Sequence, residues 1–88
     1  MRSEGIQLNH RERATLLAVA HGNAEMSCSC EPDLFIDGLA CCDQFTAHRL
    51  AQLGLIAPVR QGTVRELVPA TLTRAGHILL GLPLPAAA

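Results

Sequence analysis

A chain of 88 residues, 49 % hydrophobic and 17 % charged, has the composition of one globular domain and not of a disordered segment. Its longest apolar runs are short, as at Ile78-Leu79-Leu80, against the roughly 18 residues that a membrane-spanning helix needs. The formal charge is −1 and all seven basic residues are arginine. That balance excludes a uniformly basic polyanion binder but not a basic face, because distribution matters more than the total.

Met1-Arg2-Ser3-Glu4-Gly5 has no apolar stretch of the signal-peptide kind, so a cytoplasmic location and no membrane contact are expected. Residues 1–7 form an N-terminal arm, 8–80 the domain and 81–88 a C-terminal tail.

The first helix opens at Asn9. Its side chain can cap the helix, and Glu12 three residues on can close a capping box, with Leu8 stapled onto the first turn. Ala14, Leu17, Ala18 and His21 recur at helical spacing, with Arg11, Glu12 and Arg13 on the polar side. Gly22-Asn23 ends it. Ala24 to Cys30 reads as a short extended segment, with Met26, Cys28 and Cys30 on one face. Pro32 then suits the first position of a second helix, where Asp33 complements the dipole. Leu34, Phe35 and Leu39 supply its apolar contacts, and Asp37-Gly38 interrupts or ends it.

Asp43 can cap a third helix of about 43–53, stopped by Gly54. Ala47, Leu50, Ala51 and Leu53 form one broad face with Thr46 at its edge, and Phe45, His48, Arg49 and Gln52 the opposite one. Leu55 to Val59 and Val64 to Val68 read as strands joined by the turn Arg60-Gln61-Gly62-Thr63. Pro58 and Pro69 suit edge positions, not a central strand. Thr71 or Thr73 can cap a last short helix through Leu80. The prolines of the tail cannot continue it.

The order of elements and two short motifs resemble the winged helix-turn-helix regulators, in particular the DNA-binding core of the MarR-like group. Leu50-Ala51-Gln52-Leu53-Gly54-Leu55-Ile56 is similar to the end of their recognition helix, and Leu72-Thr73-Arg74-Ala75-Gly76-His77 to the Leu-Thr-x-x-Gly segment after the wing. The resemblance covers roughly residues 8–80. It implies an α+β fold with a three-helix core, a two-stranded hairpin wing at about 55–69 and a short C-terminal helix. It also implies a small DNA-binding transcriptional regulator whose helix at about 43–53 enters the major groove, where all four base pairs are distinguishable.

On that reading Gln44, Phe45, His48, Arg49 and Gln52 face double-stranded DNA, and Arg60 and Arg65 flank the wing tip. Arg49 is placed to meet guanine or phosphate, and Phe45 a thymine methyl, the wing or another protein. The long dimerising helices of the MarR-like group have no counterpart, so a homodimer is expected to use Leu79 to Leu84. The competing class is a winged-helix protein-interaction module, an adaptor or inhibitor that does not touch DNA. Near-neutral charge and Phe45 favour it.

Cys28, Cys30, Cys41 and Cys42 form two close pairs ten residues apart, outside the pattern of the family. Zinc takes four thiolate or imidazole ligands, and His21 or His48 can stand in for one of the cysteines. The spacing is shorter than zinc pairs usually have, and adjacent Cys41 and Cys42 diverge by about 100° on a helix. Plain packing is therefore favoured over metal or a thiol switch. No glycine-rich phosphate loop, HExxH or nucleophile elbow is present, so no enzymatic activity is expected.

Overall fold

The computed structural model describes residues 7–30, 32–41 and 43–83. Most of the arm, Cys42 and Leu84 lie outside the described residues. The described residues run α1 (His10–Ala20), β1 (Ala24–Ser27), β2 (Leu34–Ile36), β3 (Leu39–Ala40), α2 (Gln44–Gln52), β4 (Ile56–Pro58), β5 (Leu67–Leu72) and α3 (Arg74–Leu80). The fold is α+β, with three helices and a five-stranded antiparallel sheet of order β3-β2-β1-β5-β4.

Local chemistry sets most boundaries. The capping box of α1 forms: Glu12 N–H donates to Asn9 Oδ1 at 2.8 Å, and Asn9 N–H donates to Glu12 Oε1 at 3.0 Å. Asp43 Oδ1 accepts the Thr46 N–H at 3.0 Å and starts α2. Of the two threonine candidates for α3, Thr73 is the cap, its Oγ1 accepting the Gly76 N–H at 3.1 Å. Gly22, Gly54 and Gly81 follow the three helices with φ of 90°, 74° and 72°, a region that other residues enter only with strain.

The buried face of α1 differs from the expected one. Thr15, Leu16 and Val19 turn inward together with Glu12, whereas Ala14, Leu17 and His21 are exposed. Both sets have helical period, so spacing alone did not separate them. Leu16 and Val19 are the larger combined payload, and they pack with Ala24, Met26, Leu34, Ala47 and Leu50.

The second helix expected from Pro32 is a β-hairpin. Asp37 and Gly38 form its two-residue turn, with φ of 54° and 81°. Positive φ at both central residues is the tight hairpin geometry that Asp-Gly favours. This local preference outweighed the helix-start signal at Pro32.

The second hairpin is also longer-looped than expected. Val64 and Arg65 lie in a turn, and β5 begins only at Leu67. Contrary to the edge expectation, Pro69 sits in a strand paired on both sides, opposite Glu25 of β1. Its carbonyl accepts the Val59 N–H at 2.9 Å. A strand residue points its N and its carbonyl to the same side, so the missing N–H faces Val59, beyond the end of β4. Only the last rung of that ladder loses a bond.

Along β5, Val68, Ala70 and Leu72 point into the core and Leu67, Pro69 and Thr71 point out. Helices cover the inner face of the sheet. α3 lies close because Gly76 has no side chain: a Cβ there would overlap the Leu55 carbonyl oxygen and meet Leu72 Cδ2 at 3.3 Å. After α3, the Leu82 N–H donates to the His77 carbonyl at 2.9 Å and Leu82 folds back on the core. Leu80 is buried and Leu79 partly buried in the same core. Most of the apolar surface assigned to a dimer interface is therefore used within the chain, and Ile78 is the large apolar residue of α3 left exposed.

Candidate nucleic-acid interface

α2 packs through Thr46, Ala47 and Leu50. The residues one step round the helix, Phe45, Arg49 and Gln52, are exposed, and His48 is half-buried at their margin. These four line a depression of about 170 Å³ on the outer face. Phe45 is the most exposed large apolar side chain of the described residues, at 80 %. The four residues expected on the outer face are therefore together there, and of the five α2 residues expected to face DNA one is placed elsewhere.

Gln44 is the exception. Its Oε1 accepts the Leu34 N–H at 2.9 Å, and its Nε2 donates to the carbonyls of Leu34 at 3.0 Å and Cys41 at 2.9 Å. The amide is thus occupied by backbone and ties the start of α2 to β2. A group satisfied three times inside the protein is not available to read a base. Its neighbour Asp43 turns it inward by starting the helix there.

The charges around this face are mostly paired. Arg49 Nε donates to Glu12 Oε2 at 2.6 Å. Arg11 Nη1 reaches Asp43 Oδ2 at 3.1 Å, and His48 Nε2 lies 3.4 Å from Asp33 Oδ1. The Asp43 carboxyl also accepts the Thr46 hydroxyl at 2.6 Å. That hydrogen bond, then the Thr46 N–H and the Arg11 guanidinium, hold its pKa below the ordinary aspartate value. α1 and α2 are so joined by two crossed ion pairs, one in each direction.

The loop between β4 and β5 is closed by its own charges. Arg60 Nη2 donates to Glu66 Oε2 at 2.6 Å, Arg60 Nη1 to the Gln61 carbonyl at 3.3 Å, and the Thr63 N–H to Glu66 Oε1 at 3.2 Å. The Arg60 hydrogen bond, followed by that of Thr63, lowers the Glu66 pKa, and Glu66 raises that of Arg60. The β4–β5 loop, expected to be the wing tip, is therefore less positive than its two arginines suggest. Arg65 differs: it is exposed, with no ion pair among the described residues.

The three described cysteines do not converge on a metal site. Cys28 lies against the β4–β5 loop, where a Cβ on Gly62 would stand 3.2 Å from its Sγ. Cys30 is exposed, and Cys41 Sγ contacts the Asp43 carbonyl at 3.8 Å, on the α2 side. Among the described residues no three His, Cys, Asp or Glu side chains are grouped to hold a metal ion. Cys42 lies outside them.

Glu12 is the residue that sequence reasoning missed. Its neighbours Arg11 and Arg13 suggest the polar side of α1, yet it is 5 % exposed and carries the ion pair of Arg49. The signal was present as the set Glu12, Thr15, Leu16 and Val19, at the spacing of one helical face. No family model, curated protein or solved structure matches the chain.

Proposed function

We propose that the protein is a small DNA-binding module of winged-helix type, acting as a transcriptional regulator. The observation that carries this reading is the placement of α2. It lies on the core through one face and leaves Phe45, Arg49 and Gln52 open to solvent. A β4–β5 hairpin follows, whose second strand pairs with β1, the strand after α1. A helix held from behind, with a hairpin beside it, is the arrangement that presents side chains to the major groove and the hairpin tip to the neighbouring backbone. In this chain a hairpin, β2–β3, stands before α2 where the family has a helix. Gln44 then takes over the anchoring of α2 through Leu34 and Cys41.

The electrostatics call for modest affinity. Phosphate neutralisation supplies most non-specific binding, and here Arg60 already faces Glu66. Exposed ion pairs of this kind are worth about 0–1 kcal/mol, so Arg60 can exchange its partner for a phosphate at small cost. Two copies on a two-fold site would raise the affinity of a weak half-site reader.

A second reading, a protein-docking module, is favoured by Phe45 at 80 % exposure and by the paired arginines. Electrophoretic mobility of duplex DNA taken from around the chain's own gene, at two salt concentrations, separates the two. The DNA reading expects a shift that weakens as salt rises. No shift even at the lower salt would overturn it in favour of protein docking.

A further inference from the structure

We propose that Glu12 is a positioning residue for base recognition, holding Arg49 from inside the protein so that its terminal nitrogens face outward toward a guanine. The inference rests on the DNA-binding reading and names the residue that would make its specificity.

The geometry begins at the helix cap. Glu12 Oε1 accepts the Asn9 N–H at 3.0 Å, which fixes the carboxylate at the first turn of α1. Its other oxygen, Oε2, accepts the Arg49 Nε–H at 2.6 Å. The two side chains differ in exposure, 6 % for Glu12 and 48 % for Arg49. A guanidinium is a rigid planar fork. With Nε occupied by a buried carboxylate, the terminal pair of nitrogens is left over, and these have no hydrogen bond among the described residues. That pair is the edge that meets O6 and N7 of guanine. Phe45 and Gln52 flank it on the same face.

Stability alone is a poor account of this pair. Removing a carboxylate from water is expensive, and a half-exposed partner in high dielectric returns little of it. Orientation is a better one. A long side chain ordered in the free protein has less freedom to lose on binding. The buried carboxylate is also stabilised where it sits, by the N-terminus of α1.

The test is selection of the full chain on a pool of randomised duplex DNA, repeated with Glu12→Gln, Arg49→Ala and Arg49→Lys, with thermal melting to verify folding. Glutamine also closes a capping box, so Glu12→Gln keeps an acceptor for Asn9 while turning an amide to Arg49. The parental chain should enrich a guanine at one position. Arg49→Ala should lower that preference by about ten- to a hundredfold, and Arg49→Lys, a point charge without a fork, nearly as much. Glu12→Gln should lower it by about three- to tenfold. Its binding to unrelated DNA should be equal or tighter, because the formal charge rises from −1 to 0. A merely structural Glu12 would lower the melting temperature and leave the base preference as it was.

If Glu12→Gln does not fold, Glu12→Asp, which keeps the charge and shortens the reach, is read in the same way. A guanine preference lost in Arg49→Ala but intact in the folded Glu12 variant overturns this inference and leaves DNA binding standing. A preference intact in Arg49→Ala also overturns it. No enrichment by the parental chain overturns both.

Discussion

Gly76→Ala pits helix propensity against packing. Alanine is favoured over glycine inside a helix by about 1 kcal/mol, so propensity alone expects a gain. The fold expects a loss. A Cβ at position 76 overlaps the Leu55 carbonyl oxygen and comes within 3.3 Å of both the Leu55 carbonyl carbon and Leu72 Cδ2. Overpacking a well-filled site costs about 1–3 kcal/mol, and here the obstacle is backbone, which has no rotamer to change. The same carbonyl accepts the Thr73 N–H at 3.0 Å. Displacing it weakens a hydrogen bond worth about 1 kcal/mol at the cap of α3. The sum, about 2–4 kcal/mol, exceeds the propensity gain and leaves a net loss of about 1–3 kcal/mol. For a domain of this size each kcal/mol lowers Tm by about 4–8 °C. Thermal melting followed by circular dichroism should thus show a fall of roughly 4–24 °C. An unchanged or raised Tm would refute the argument that the absence of a side chain at position 76 sets the approach of α3 to β4 and β5.

Gln44→Leu should cost about 1–3 kcal/mol in urea unfolding, because the Leu34 N–H and the Leu34 and Cys41 carbonyls lose their side-chain partner. It should not alter any DNA sequence preference; a changed preference in mobility-shift competition would return Gln44 to the outer face. Asp43 and Glu66 both have pKa values held below their ordinary 3.8 and 4.5. The stability they contribute is therefore fully present above those values and lost as pH falls through their lower folded values. Asp43→Asn should flatten the acid limb of a Tm-against-pH curve, and an identical curve would show that Asp43 contributes nothing there. If DNA is bound, Arg65→Ala should reduce the salt slope by about one phosphate contact, whereas Arg60→Ala, which leaves Glu66 unpaired, should reduce affinity without a larger change of slope than Arg65→Ala. Mobility shifts across a salt series distinguish them.

Much of the fold was legible because its signals act within a few residues. Asn9 with Glu12, Asp43 and Thr73 satisfy N–H groups one turn away, and Gly22, Gly54 and Gly81 relieve strain at single positions. Those signals needed no tertiary structure, and they set the helix starts and stops of all three helices. The outer face of α2 was legible for the same reason: Ala47, Leu50, Ala51 and Leu53 make the apolar stripe, with Thr46 at its edge, which sends Phe45, Arg49 and Gln52 outward. The Asp37-Gly38 turn was equally local, but Pro32 offered a competing helix start.

The rest was decided only when distant segments met. Two stripes on α1 have the same period, and the one turned inward is the one whose Leu16 and Val19 fill the space between β1 and α2. Burial of that stripe carries Glu12 with it, 37 residues from Arg49 in the chain. Arg11 is likewise 32 residues from Asp43. The sequence by itself determined that the chain holds seven arginines and eight acids. Which arginine is free, which is neutralised and which is held in a fixed direction depends on distances of a few ångströms across the fold, because charge interactions fall off with separation and with exposure to water.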